Sequence, residues 1–230
     1  MREMSVLLIL GIDTSGKTAA TALYEDGKII AQNNLYTNRT HSQVILPLCK
    51  KMLEDVGRSL QNVDVFAVSV GPGSYTGLRI GISAVKAMAY ALQKNCVGIS
   101  TLEALAYNMM GYKGIICPLI KARQDLVYTA FFEGDGRSIT RLSDDEIIAQ
   151  EEVFATLARY NKDIILVGDG ADEFYEKYKQ DFIYVAPPHL KYQLASSLCL
   201  AALDHEDVSA DELEASYLQL TKAEKDLNKK

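Results

Sequence analysis

The chain has 230 residues, 48% apolar and 23% charged, and 24 basic against 30 acidic side chains leave it a formal charge of -6. That length builds a large core without disulfide or metal staples, and the acidic balance excludes a surface-wide field for phosphate backbones, so direct nucleic-acid binding is not expected to dominate. The longest apolar run, Ser5 to Ile12, is far short of the roughly 18 residues of a membrane helix and leads straight into Asp13-Thr14-Ser15, so it reads as a first strand rather than a leader; no membrane association and a cytoplasmic location are expected.

Ser5 to Ile12, Thr18 to Glu25 and Lys28 to Tyr36 read as three strands of an antiparallel meander, the last two joined by a tight turn at Asp26-Gly27. His41 to Gly57 follows as a helix, with Val44, Ile45, Leu48, Cys49, Met52, Leu53 and Val56 at helical spacing. Val63 to Val70 reads as a strand, Thr76 to Gln93 as a second helix, Cys96 to Ile99 as a short strand, and a third helix starts at Thr101. The four cysteines, Cys49, Cys96, Cys117 and Cys199, stand far apart and read as small buried apolar residues.

The pattern then repeats. Thr21-Ala22-Leu23-Tyr24-Glu25-Asp26-Gly27 is echoed at Thr129 to Gly136, an offset of 108 residues with one insertion. On that offset Leu8 to Ile12 falls on Ile116 to Ile120, and Asp13-Thr14-Ser15 falls on Lys121-Ala122-Arg123. A helix at Glu151 to Arg159, a strand at Asp163 to Val167, and helices at Ala171 to Lys179 and Tyr192 to Leu203 complete the second half. Two copies of a meander followed by helix, strand and helix resemble the actin, Hsp70 and sugar-kinase class. The resemblance implies a duplicated RNase H-like, actin-like α/β fold, with two lobes each holding a mixed sheet flanked by helices. Residues 1–105 form the first lobe, 106–222 the second, and 223–230 a disordered tail.

The run Gly71-Pro72-Gly73-Ser74-Tyr75-Thr76-Gly77-Leu78-Arg79-Ile80-Gly81 joins a strand to a helix. Such junctions gather backbone amides for an anion; a tight, well-capped βα connection that binds nothing gives the same pattern. Asp13, Thr14 and Ser15 with Gly71, Gly73 and Ser74 are therefore the candidate nucleotide-binding residues, and Asp13-Thr14-Ser15 equally reads as a strand end bonded to its own turn.

Leu10-Gly11-Ile12-Asp13-Thr14-Ser15, His41-Ser42-Gln43 with Leu46-Pro47, the whole Gly71 to Gly81 run, and Arg123 with Val127-Tyr128 together resemble the TsaB family, also called YeaZ. Ser216-Tyr217-Leu218 is similar to that family's terminal Tyr-Leu-Arg, with Gln219 where arginine is usual. The resemblance implies a noncatalytic scaffold and activator for making N6-threonylcarbamoyladenosine in tRNAs that read codons beginning with A. Its implied partners are TsaD, the catalytic sister of the same fold, with which it forms a heterodimer; TsaE, an ATPase that joins the pair; and tRNA within the complex only. A homodimer on the same helices is the alternative pairing when TsaD is absent.

The residues present argue in the same direction. TsaD-like catalysts carry a histidine pair spaced i, i+4 for a metal; Thr101 and Leu105 occupy those positions here, so no metal site is expected. Actin-like ATPases hold magnesium through an acidic residue from each half, whereas the second half here supplies Lys121 opposite Asp13. No cofactor is expected beyond weak nucleotide binding, and an independent ATP-dependent phosphotransferase is the competing reading. No serine or cysteine lies in a nucleophile motif, which disfavours peptidase chemistry. The two helices after the meander carry more apolar surface than one sheet face needs. His41, Ile45, Leu48, Cys49 and Met52, with Leu78, Ile82, Val85 and Ala89, are the expected partner interface, in a four-helix bundle that the family resemblance implies. On that expectation, Ile82→Glu or Val85→Glu breaks pairing and leaves the subunit folded.

Overall fold

Strand β1 (Leu8–Asp13) is buried along its whole length because it runs through the middle of a five-stranded sheet. In this computed structural model, which describes residues 7–37 and 39–218, β1 pairs antiparallel with β2 (Thr18–Glu25), and β2 in turn with β3 (Lys28–Tyr36). On its other side β1 pairs parallel with β4 (Val65–Gly71), which carries β5 (Asn95–Ser100) at the edge, so the order is β3-β2-β1-β4-β5. The parallel pairs need crossovers, supplied by α1 (His41–Asp55) and α2 (Tyr75–Leu92). A short α3 (Thr101–Tyr107) follows β5.

The second half reproduces this order. β6 (Lys113–Lys121) takes the place of β1. β7 (Leu126–Thr129) and β8 (Phe132–Asp135) lie along β6 in one continuous register, Leu119 opposite Thr129 and Ile116 opposite Phe132, so together they stand for β2, broken only at Ala130-Phe131. β9 (Ile139–Arg141) pairs with β8 and β10 (Glu146–Ala149) with β7, together standing for β3. After α4 (Gln150–Leu157), β11 (Ile164–Val167) pairs parallel with β6; after α5 (Ala171–Tyr178), β12 (Ile183–Val185) closes the edge, and α6 (Ala195–Ala202) ends the copy. The offset of 108 thus reports a true structural duplication, with Asp13 and Lys121 at equivalent strand ends. β9, β10 and β12 are three or four residues long, too short for hydrophobic alternation to show in the sequence.

The lobes do not divide at one point in the chain. Leu198, Cys199 and Ala202 of α6 pack with Ile9, Ala20 and Ala67 of the first sheet, covering the face opposite α1 and α2. The chain then crosses the edge of β5: Val208 exchanges both backbone hydrogen bonds with Cys96 at 2.7 and 2.8 Å, and Ala210 and Leu213 are buried in the first lobe's core. Assigning 106–222 to the second lobe is therefore corrected. A sheet flanked by α1 and α2 on one side only leaves an apolar face, and the chain returns to bury it. The expected tail, 223–230, and Gln219 lie outside the described residues. All four cysteines are buried and unpaired.

Glu103 of α3 ties the junction together. It accepts from Arg141 Nη2 of β9 at 3.0 Å and lies 2.8 Å from His205 Nε2, just after α6. Arg141 also bonds Asp145 at 2.7 Å. The Glu103 bond raises the His205 pKa above its ordinary value, partly opposed by burial and by Arg141 and assisted by Asp204; burial works to raise Glu103, but the His205 and Arg141 bonds outweigh it and hold that carboxyl low. A raised histidine stabilises the fold fully below the usual value of about 6.5 and loses that contribution as pH rises through the raised one. The stability difference between the native chain and His205→Gln is expected to shrink between pH 6 and 8. Its size is about 0.5 kcal/mol after solvent screening, since the imidazole is 39% exposed; urea midpoints at the two pH values measure it.

Candidate functional site

Asp13, Thr14 and Ser15 sit where β1 ends beneath the start of α2, and all three are at most 2% exposed. Both Asp13 oxygens are occupied: Oδ1 accepts from Ser15 N at 2.8 Å and Ser15 Oγ at 2.6 Å, and Oδ2 accepts from Ser69 Oγ at 2.5 Å. Burial pushes the carboxyl pKa up, against the pull of those hydroxyls and of His41. Thr14 Oγ1 donates to the Gly77 carbonyl at 2.7 Å. The triplet is a closed turn, and Asp13 and Thr14 are not presented to solvent.

The glycine run explains how α2 comes so close. A methyl group at Gly77 would lie 2.0 Å from the Thr14 carbonyl, one at Gly73 2.5 Å from the Ser15 carbonyl, and one at Gly81 2.4 Å from Thr14 Oγ1. Ser74 N donates to the Ser15 carbonyl at 2.7 Å, and Ser74 Oγ caps α2 by accepting from Gly77 N at 3.2 Å. Gly71, at φ +125°, is blocked by the Ser216 carbonyl, which would be 2.4 Å from a side chain there. Between α2 and the Asp13 turn these glycines make room for backbone, not for a phosphate. Of the six candidate nucleotide residues, Ser15, Gly73 and Ser74 line the interlobe cleft, while Asp13, Thr14 and Gly71 do not.

That cleft, of about 1110 Å³, has walls from both lobes. Lys17, Tyr36 and Tyr75 come from the first; Lys121, Arg123 and Tyr128 from the second. Lys121 is already committed: its amine bonds Glu173 Oε2 at 2.7 Å, which raises its pKa, and its backbone N–H donates to Asp169 at 2.9 Å.

The expected interface residues face inward instead. Ile45, Cys49, Met52, Leu78, Val85 and Ala89 are at most 2% exposed and Ile82 is 7%, all in the core beneath α1 and α2. Leu48 is half-buried against the same core, and His41 is half-buried with Nε2–H donating to the Gly16 carbonyl at 2.9 Å. These side chains fill the gap between helices and sheet, the largest apolar burial available to them. The outward surface lies on the opposite rows: Leu46, 49% exposed, with Pro47 on α1; Ser83, Ala87, Ala91 and Tyr90, 73% exposed, on α2. Arg79 and Ser83 on the second row were the available signal, because polar residues mark the solvent side of a broad apolar helix. Thr101 and Leu105 are buried at the lobe junction, with Thr101 Oγ1 unpartnered. Among the described residues no group of three histidine, cysteine or acidic side chains gathers as metal ligands, and no helix is long and apolar enough to cross a membrane.

Two lobes of strand order 3-2-1-4-5 enclosing a cleft, with the closing helix of each copy lodged between them, define the duplicated actin-like class. The family model described as TsaD, tRNA N6-adenosine threonylcarbamoyltransferase, matches residues 30–228. The TsaB proteins of Bacillus subtilis, 28% identical over 95% of this chain and 96% of the relative, and of Escherichia coli, 32% identical over 70% and 71%, are both named tRNA threonylcarbamoyladenosine biosynthesis proteins. The solved YeaZ from Pseudomonas aeruginosa superposes with a TM-score of 0.79 at 28% identity, covering 94% of this chain and all of that one. The chain belongs to the TsaB (YeaZ) family, a branch of the broader TsaD-type fold.

Proposed function

We propose that this chain is a noncatalytic scaffold subunit of the assembly that forms threonylcarbamoyladenosine in tRNA, acting in the cytoplasm by pairing with a TsaD catalytic subunit. The observation that carries the noncatalytic part is Asp13: it is 0% exposed and both its oxygens are occupied, while its counterpart Lys121 is bound to Glu173. Magnesium-phosphate chemistry in a cleft needs an accessible carboxylate. The same facts weigh against an independent ATP-dependent phosphotransferase and make any nucleotide binding metal-poor and weak.

Pairing is supported by the outward rows of α1 and α2. Leu46, Pro47 and Tyr90 give apolar surface, and Ser83, Ala87 and Ala91 let a second helix approach closely. The match of a TsaD-type model to residues 30–228 supports a partner of similar fold, and on this reading helix pairs of similar shape meet in the dimer. TsaE joins the pair, tRNA meets the assembled complex, and the same face serves a homodimer when TsaD is absent. Native mass measurement of the chain mixed with its cognate TsaD is expected to give a heterodimer. Modification of tRNA by TsaD and a supply of threonylcarbamoyl-adenylate is expected to require the chain; full modification without it overturns the proposal.

A further inference from the structure

We propose that the interlobe cleft of this subunit is a contact site for RNA, holding an unpaired stretch whose bases stack on exposed tyrosines and whose phosphates meet Lys17 and Arg123. The inference rests on the reading of the chain as part of a tRNA-modifying assembly, and it names where this subunit would touch the nucleic acid.

The cleft concentrates ring faces. Tyr36 is 65% exposed with its ring 6.3 Å from that of Tyr192, and Tyr217 is 42% exposed with its ring 5.1 Å from that of Tyr75. Both pairs are tilted, at 55° and 36°, and each leaves an exposed ring on which an unpaired base can stack. Of the two acidic residues that line the cleft, Asp172 is paired with Lys191 at 2.7 and 3.0 Å, while Asp169 keeps its charge and accepts the Lys121 backbone N–H at 2.9 Å. Lys17 and Arg123 are exposed on opposite walls, one after β1 and the other after β6. Three basic residues, Lys17, Lys121 and Arg123, line the cleft against two acidic ones, beside its tyrosines, on a chain of net charge -6.

The spacing of these groups favours a strand over a free nucleotide. A nucleoside triphosphate needs its phosphates gathered at one loop, and the glycine run there is filled by the Ser15 carbonyl, which accepts from Ser74 N at 2.7 Å. A backbone passing from lobe to lobe instead meets one cation on each side. A volume of 1110 Å³ holds more than one nucleotide unit.

The test uses the full chain, alone and paired with TsaD, titrated with a fluorescein-labelled unstructured heptaribonucleotide and separately with ATP. RNA binding is expected in at least one of the two preparations. Tyr36→Ala and Arg123→Glu are each expected to weaken it at least fivefold, and Arg123→Ala to reduce the slope of log affinity against log salt by about 0.7, with thermal melts unchanged because both positions are exposed. Lys28→Ala, exposed at the β2–β3 hairpin and outside the cleft lining, is the unaffected control. No RNA binding in either preparation, binding that survives Tyr36→Ala and Arg123→Glu, or ATP that binds more tightly and displaces the RNA each overturns the inference; the last identifies a mononucleotide site. Pairing with TsaD is scored separately. Its loss sinks the scaffold reading and leaves the titration of the lone chain interpretable, whereas intact pairing with unaltered RNA binding by the variants sinks this inference alone.

Discussion

Gly77→Ala is expected to destabilise the chain by about 3 kcal/mol, lowering its melting temperature by roughly 6–12 °C. Helix propensity gives the opposite sign, since alanine inside a helix is favoured over glycine by about 1 kcal/mol. Geometry decides. The new methyl would lie 2.0 Å from the Thr14 carbonyl, which is backbone and has no rotamer to escape into. Relief requires α2 to move off β1, and that motion also breaks the Thr14 Oγ1 bond to the Gly77 carbonyl and disturbs the turn that occupies Asp13. Gly27→Ala is the control. Nothing lies within 4 Å of a side chain at that hairpin, so only its φ of +81° opposes the change, at about 1 kcal/mol. Urea unfolding of the two variants separates them; a Gly77→Ala protein as stable as the parent would show that the close contact is not rigid.

Val85→Glu and Ala87→Glu, two residues apart on α2, are expected to fail in different ways. Val85 is 0% exposed, in the apolar core that also holds Leu10, Phe66 and Leu78. A carboxylate there must be buried unpaired or protonated, and the fold loses about 4 kcal/mol. Ala87 is exposed, so its replacement changes stability by no more than about 0.5 kcal/mol. On the proposed reading it places a charge in the helix-to-helix contact with TsaD and weakens pairing at least tenfold. Chemical denaturation and size-exclusion with TsaD measure the two effects. A folded Val85→Glu protein, or undiminished pairing by Ala87→Glu, would return the docking face to the row Leu78, Ile82, Val85 and Ala89.

The contrast between these two positions shows where sequence reading stops. A helix with apolar residues on more than one face has a core row and an outward row, and periodicity alone does not say which is which. Arg79 and Ser83 favour the correct choice, yet the decision belongs to the sheet. Phe66, Val68 and Leu10 present the apolar surface that Leu78 and Val85 cover. The glycine run shows the same limit, because positions that admit a phosphate and positions that admit a neighbouring carbonyl have the same composition.

The sequence by itself determined the elements of the first lobe, the 108-residue repeat, the equivalence of Asp13 and Lys121, and the family motifs. All of these are written in local periodicity or in short contiguous runs. Tertiary structure alone decided that Asp13 is closed off, because its second oxygen is taken by Ser69, 56 residues away and on the neighbouring strand. It also decided that α6 and residues 208–218 return to the first lobe, because that sheet has a second apolar face to bury. And it gathered Tyr36, Arg123 and Tyr217 on one cleft, a juxtaposition that exists only once two lobes of the same topology fold against each other.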